Sequence, residues 1–153
     1  TSKKLDLKNF EEFLFKKNCQ SFDLIIDDGS HFLSDIKKNF LFFFKYLNSG
    51  GYYVIEDYNH PKYYEESNDI KNNEQLIDDF LNSLKEKKFF NSQISNFNSN
   101  NKLFKMVSDI NQYKGNMKLS KEMMIAQDSL VSKKKLDKLE NINVSDIVFI
   151  KKK

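Results

Sequence analysis

The chain has no arginine and no tryptophan, one cysteine, one proline and four glycines in 153 residues. Each scarcity excludes something. With Cys19 alone, neither a disulfide framework nor a thiolate zinc site can be built. Without arginine there is no planar fork for phosphate or carboxylate, so an anionic ligand would meet lysine or backbone amides. None of the glycines forms a G-x-G-x-x-G string, so no glycine-rich turn cradles a nucleotide at a helix start. The densest apolar run, Phe40-Leu41-Phe42-Phe43-Phe44, is far too short to cross a bilayer, and there is no signal-type apolar segment. These absences predict a soluble cytoplasmic protein with no membrane partner.

Charge is mixed instead of one-sided. All 25 basic residues are lysines, set against 22 acidic ones for a net +3. They are scattered and make no basic stripe, which argues against a nucleic-acid partner. With abundant Asn, Ile and Phe, the lysines read as the residue usage of an AT-rich genome. The length is one domain's worth, enough for a core of moderate size.

Two short apolar runs organise the rest: Phe22-Asp23-Leu24-Ile25-Ile26-Asp27-Asp28-Gly29-Ser30-His31 and Gly51-Tyr52-Tyr53-Val54-Ile55-Glu56-Asp57-Tyr58. Each is β-branched and stops at acidic residues, as expected of a parallel-sheet strand buried on both faces. A helix from Leu7 to about Lys17, capped by Asp6 and with Phe10, Phe13 and Leu14 on one face, precedes the first run. Between the runs Ile36, Phe40, Phe43, Phe44 and Leu47 recur at helical spacing, predicting a helix over 35–47 capped by Ser34 and closed by Gly50. The result is a β-α-β unit. Residues 58–73 read as a polar, aromatic loop beside the second strand end, 73–88 as a helix and 91–101 as a connector. Leu103–Val107 and Val144–Ile150 read as strands, with helices over 119–126 and 130–139 between them.

In open α/β sheets ligands bind outside the carboxyl ends of the strands, so Asp27, Asp28, His31, Glu56 and Asp57 should converge there. Acids at strand ends also serve simply to stop strands and cap helices. Two acidic doublets together, however, repel unless a cation joins them, and hard oxygens suit Mg²⁺ or Mn²⁺. Strand neighbours point to opposite sides, so one member of each doublet should face the metal. A histidine beside such a site is a natural proton acceptor near neutral pH. His60 reads as loop and Cys19 as a small packing residue.

The string F-D-L-I-I-D-D-G-S-H, a helix, and then S-G-G-Y-Y-V-I-E-D-Y resembles the class I S-adenosylmethionine-dependent methyltransferases of the macrocin and mycinamicin sugar O-methyltransferase type. The same pattern marks proteins called cephalosporin hydroxylase and rhamnosyl O-methyltransferase. The detailed likeness covers about residues 20–60, and Ser145–Lys151 is similar to the family's closing strand. The resemblance implies an α/β, Rossmann-like fold with parallel strands and a C-terminal antiparallel strand. It also implies S-adenosylmethionine as cofactor, Mg²⁺ or Mn²⁺ as metal, and a sugar or glycoside hydroxyl as acceptor. Carried over by position, Asp28 and Asp57 would be metal ligands with Glu56 beside them. His31 would be the general base and Asp27 a cofactor-side neighbour.

The family's glycine-rich cofactor turn would precede Thr1, so residues 1–153 are expected to be the C-terminal portion of one methyltransferase domain, N-terminally truncated. Such a chain should bind S-adenosylmethionine weakly. The sheet edge left open by missing strands is an aggregation or pairing liability, so a homo-oligomer can form and can be an artefact of that exposed edge. Three alternatives remain: a receiver-like Mg²⁺-binding signalling module, a metal-dependent hydrolase and an inactive fragment. Labelling by acetyl phosphate would mark the first, and cofactor-free turnover of simple esters the second.

Overall fold

Leu33, Ile36, Phe40 and Phe44, one helical stripe, are all buried against the strands that flank them, and this packing sets the architecture. The computed structural model describes residues 7–63, 74–88, 97–115, 117–118 and 143–153. In chain order the elements are α1 (Leu7–Lys16), β1 (Phe22–Asp27), α2 (Leu33–Phe43) and a 3₁₀ turn (Phe44–Tyr46). There follow β2 (Leu47–Glu56), α3 (His60–Tyr63), α4 (Ile77–Glu86) and α5 (Phe97–Met106). The last are β3 (Val107–Tyr113), β4 (Met117–Lys118), β5 (Asn143–Val144) and β6 (Ile147–Lys152).

The main sheet is open and mixed, in the order β1-β2-β6-β3. β1 and β2 are parallel, joined by α2 as a β-α-β unit, and β6 is antiparallel to both β2 and β3. This matches the expected parallel strands with a C-terminal antiparallel one. β4 and β5 form a separate two-stranded pair. Among the described residues no helix is long and apolar enough to cross a membrane.

Several local expectations are corrected. Helix α2 starts before Ser34, which is buried inside its first turn, and Phe32 is the N-cap without a side-chain bond. Ser30 does the ordering instead: its hydroxyl donates to Asp35 at 2.6 Å and accepts from the Phe32 N–H at 3.4 Å. An earlier start also turns Leu33 into the core, where it is 0% exposed. Gly50 is not a helix cap. The chain is already strand by Leu47, and Gly50 (φ 81°) lies in a bulge where β2 advances further than β1 between the pairs Phe22–Leu47 and Leu24–Tyr52.

The strand expected over Leu103–Val107 is the end of α5, whose first residues take over the end of the expected connector. Leu103 and Val107 are four apart and both buried, so the helical reading of their spacing wins, and β3 begins only at Val107. The strand expected over Val144–Ile150 is broken at Ser145 (φ 69°) and Asp146, and β6 continues to Lys152. Phe13, expected on the inward face of α1, is 53% exposed. Phe10 reaches α2, its ring edge-on to Phe43 at 5.1 Å, and Leu14, four residues on, is buried. The helices expected over 119–126 and 130–139, and most of the loop expected over 58–73, lie outside the described residues.

The core sits on one side of the sheet. There Tyr53, Ile55, Val148, Ile150 and Ile110 meet α2 and the α4 stripe of Ile77, Phe80, Leu81 and Leu84. Directly paired residues share a face, so Leu24 and Tyr52, Ile26, Val54 and Phe149, and Ile147 and Tyr113 point to the opposite side. Leu24, Ile26 and Tyr113 are each more than half exposed. The first strand is therefore not buried on both faces as its composition predicts.

Candidate active site

Parallel pairing in register brings the two acidic strand ends to one edge. Asp27 pairs with Ile55, so Asp28 and the Glu56–Asp57 doublet leave the sheet side by side. Both strand ends turn in the same unusual way. His31 (φ 56°) and Asp57 (φ 47°) occupy the left-handed region, which non-glycine residues seldom enter and in which His and Asp are enriched. Such conformations cost about 1–3 kcal/mol each and cluster where surrounding structure must aim a side chain.

The aim of His31 is visible in its contacts. Its Nε2 lies 3.8 Å from Asp28 Oδ1, and its ring centroid is 5.3 Å from that of His60 with the planes tilted by 33°. The His31 side chain is 24% exposed and that of Asp28 is 63% exposed, so the pair stands at the surface, open to a ligand. His60 opens α3, and its N–H donates to the Asp57 carbonyl at 2.9 Å. Read from sequence, His60 is only a loop residue. Its position three residues after Asp57, in a tight turn, is the signal that would have found it.

Asp27 faces the other way. Its Oδ2 accepts a bond from the Tyr53 hydroxyl at 3.0 Å and its Oδ1 one from Asn39 Nδ2 at 3.3 Å. Burial raises its carboxyl above the usual range, and those two bonds oppose the rise. Asp27 thereby ties β1 to β2 and α2. Tyr53, buried against this carboxylate, has its hydroxyl pushed far up by burial first and by Asp27 next. Gly29 is crowded by the same group, since a Cβ there would stand 3.0 Å from Asp27 Oδ1.

The turn after β2 is held from below. Tyr58 and Asn59 are buried, whereas Asp57 and His60 on either side are partly exposed. Asn59 Nδ2 donates to Asp146 Oδ2 at 2.8 Å, and the Gly115 N–H donates to Asp146 Oδ1 at 3.0 Å. The Asn59 Oδ1 has no hydrogen-bond partner among the described residues, an orientation that Asp146 dictates because the reverse would set oxygen against oxygen. Gln112 Nε2 lies 3.3 Å from the Tyr58 hydroxyl and donates to Asp78 Oδ1 at 2.9 Å. Burial pushes the Tyr58 hydroxyl up to about 12. No spacing in the sequence announces the Asn59–Asp146 contact.

Hard carboxylate oxygens at two adjacent strand ends are of the right chemistry for a divalent cation. Yet among the described residues no group of three or more His, Cys, Asp or Glu stands close enough to hold one. A cleft of about 400 Å³ beside α1 is lined by Glu11, Leu14, Cys19 and Tyr46 among others. Another of about 500 Å³ lies on the open sheet face against Tyr52, Tyr113 and Phe149. Neither is lined by His31, Asp28, Glu56 or Asp57.

No protein-family model matches the chain. Over 36 residues it is 53% identical to the L-olivosyl-oleandolide 3-O-methyltransferase of Streptomyces antibioticus, covering 24% of this chain and 9% of that protein. Over 52 residues it is 40% identical to the mycinamicin VI 2''-O-methyltransferase of Micromonospora griseorubida, covering 33% of this chain and 13% of that protein. Among solved structures, 96% of the chain superposes on 30% of the MycE methyltransferase of the mycinamycin biosynthetic pathway, in complex with Mg and SAH. The TM-score is 0.51 and the identity 14% in each of two crystal forms. The chain is thus similar in a short stretch to these two O-methyltransferases and shares the fold of a part of the MycE methyltransferase. It spans less than a third of the length of that solved protein.

Proposed function

We propose that this chain forms the acceptor side of a cytoplasmic, S-adenosylmethionine-dependent O-methyltransferase acting on a hydroxyl of a sugar or glycoside. The observation that carries the reading is the His31–Asp28 contact at the shared edge of β1 and β2, within the stretch that resembles sugar O-methyltransferases. In this reading His31 takes the hydroxyl proton while the acceptor oxygen forms its bond to the methyl carbon and the carbon–sulfur bond breaks. The products are a methyl ether, the thioether form of the cofactor and an imidazolium. Asp28 lies beside the ring, with its Oδ1 3.8 Å from Nε2, and helps orient it. Asp28 and Asp57, with Glu56, are the residues that would hold Mg²⁺, whose contribution would be to lower the pKa of the acceptor hydroxyl. Their donor chemistry fits, but the described side chains are not gathered into a cage, so no step is routed through the metal. Asp27 serves the cofactor side indirectly, by fixing the end of β1.

The MycE methyltransferase, which shares this fold, was solved in complex with Mg and SAH, and this supports the choice of metal and cofactor. Because the chain spans so little of its relatives, activity of this piece alone is not the test. Mn²⁺ titrated calorimetrically into the chain should bind in a manner lost in both Asp28→Asn and Asp57→Asn. Binding indifferent to both substitutions, or none at all, would remove the metal-assisted reading.

A further inference from the structure

The turn that carries Asp57 and His60 is not held by its own sequence. Its backbone bonds, His60 N–H to the Asp57 carbonyl and Lys62 N–H to the Asn59 carbonyl, shape the turn but do not place it in the molecule. Placement comes from two buried neighbours: Tyr58, part of the core and met by Gln112, and Asn59, 2% exposed, whose amide reaches Asp146, 3% exposed, across 87 residues of sequence. Asp146 sits in the β5–β6 turn and also receives the Gly115 N–H from the segment after β3, so one carboxylate joins three loops.

We propose that the Asn59–Asp146 pair is a positioning device that holds His60 against His31 and Asp57 at the edge of the site. Two polar residues buried together need each other, because either left alone keeps an unpaired group out of water. An apolar pair could fill the space, but it would not dictate which way the turn faces. The inward residues Tyr58 and Asn59 are fixed, which leaves Asp57 and His60 facing outward and brings the His60 ring to 5.3 Å from His31. Asn59 and Asp146 are buried beneath the turn, away from its exposed side. They act through the turn, and the proposal rests on the methyl-transfer reading only for what it says of Asp57.

The test exchanges donor and acceptor. Asn59→Asp sets two carboxylates against each other, and Asp146→Asn removes the charge that the amide of Asn59 meets. The double variant N59D/D146N restores one donor–acceptor pair with reversed polarity and still offers an oxygen to the Gly115 N–H. The readout is the ring-proton resonances of His31 in the imidazole-labelled full chain, with His60→Ala defining the signal expected when the neighbouring ring is gone. Each single variant should move the His31 resonances toward the His60→Ala position, and the double variant should return them. Mn²⁺ affinity should fall about 10–100-fold in the singles, as is usual when a group orienting a ligand is lost, and recover in the double.

Stability that falls and recovers while His31 resonances stay at the wild-type position would reduce the pair to a loop staple and overturn the proposal. Where a single variant fails to fold, the double variant and His60→Ala still decide. Absence of Mn²⁺ binding in the parent would sink the metal reading while leaving the imidazole test of the positioning device intact.

Discussion

At the scale of single residues, the site edge and the core both rest on polar groups removed from water. Tyr53 donates to the half-buried Asp27 from the centre of β2, so Tyr53→Phe strands a carboxylate that only Asn39 then serves. Hydrogen bonds to charged groups contribute about 1.5–3 kcal/mol, and urea unfolding of Tyr53→Phe should show a loss in that range. A change near zero would mean Asp27 is satisfied by solvent instead. Lys37 is the other case. Its side chain is 1% exposed and binds the side chain of Glu74, also 1% exposed, and the Gln75 carbonyl, with its ammonium 5.7 Å from the Phe80 ring centre. Burial lowers its pKa, against the pull of Glu74. Lys37→Met should therefore cost about 3–5 kcal/mol by leaving Glu74 buried without its cation. Lys37→Met with Glu74→Leu should recover most of that loss. The lowered pKa also fixes a sign. Between the folded value and the usual 10.5, the native chain has shed a proton that the unfolded chain keeps, so stability rises with pH across that window. Below the folded value this contribution is flat. Denaturation midpoints followed from neutral to alkaline pH should show the rise in the parent and lack it in the double variant.

At the scale of elements, the crossover from α2 into β2 depends on two adjacent glycines that do different things. Gly50 takes φ 81° with open space around it, so Gly50→Ala adds only the cost of a left-handed conformation, about 1–2 kcal/mol. Gly51 has no such dihedral, but a Cβ there would stand 2.9 Å from the Asp23 carbonyl and 3.0 Å from that of Asn48. Neither is a flexible tip, so Gly51→Ala must push β1 from β2. Hydrogen exchange should accelerate at Leu24–Ile26 in Gly51→Ala and stay at the parental rate in Gly50→Ala. Equal acceleration in both would assign the bulge, not the close approach, as the weak point. The same crossover shows what a sequence can and cannot convey. The strand Phe22–Asp27 is legible because β-branched residues end abruptly at acids, and the α2 and α4 stripes because apolar residues recur at helical spacing. The site edge follows from those strands, since register between parallel neighbours sets where their ends emerge. The start of α2 is not legible, because burial of Leu33 overrides the capping preference of Ser34. Leu103–Val107 misleads because a short apolar run fits period two and period 3.6 alike. Asn59 meeting Asp146 is invisible, as a contact between single polar residues far apart leaves no periodicity.

At the scale of the whole molecule, the two sides of the sheet are unequal. One side meets α2 and α4 in a closed core, whereas the other presents Leu24 at 52%, Ile26 at 56% and Tyr113 at 56% exposure, with Tyr52 and Phe149 between them. Among the described residues, the outer strand β1 pairs on one side only, so its free edge adjoins the same apolar surface. A contiguous apolar face beside an unpaired edge favours association, because burying it releases about 25 cal/mol per Å² and the edge supplies hydrogen-bond partners. Polar groups bound the apolar patch, since register sets Lys151 beside Tyr52 and Asp109 on the same face and Asn111 opposite Phe149, with Lys151 over the Tyr52 ring at 5.4 Å. The isolated chain should therefore self-associate with rising concentration. Ile26→Lys combined with Tyr113→Lys places two like charges on that face and should shift sedimentation toward the mass of one chain, 18.2 kDa. Because both side chains are already solvated, unfolding free energy should change by no more than about 0.5 kcal/mol for each. The corresponding change at Ile25, which packs against the core from the adjacent position of the same strand, should instead unfold the protein. Self-association unaltered by the two lysines would place the contact surface elsewhere, with the cleft beside α1 and the 88% exposed Phe15 next to be substituted.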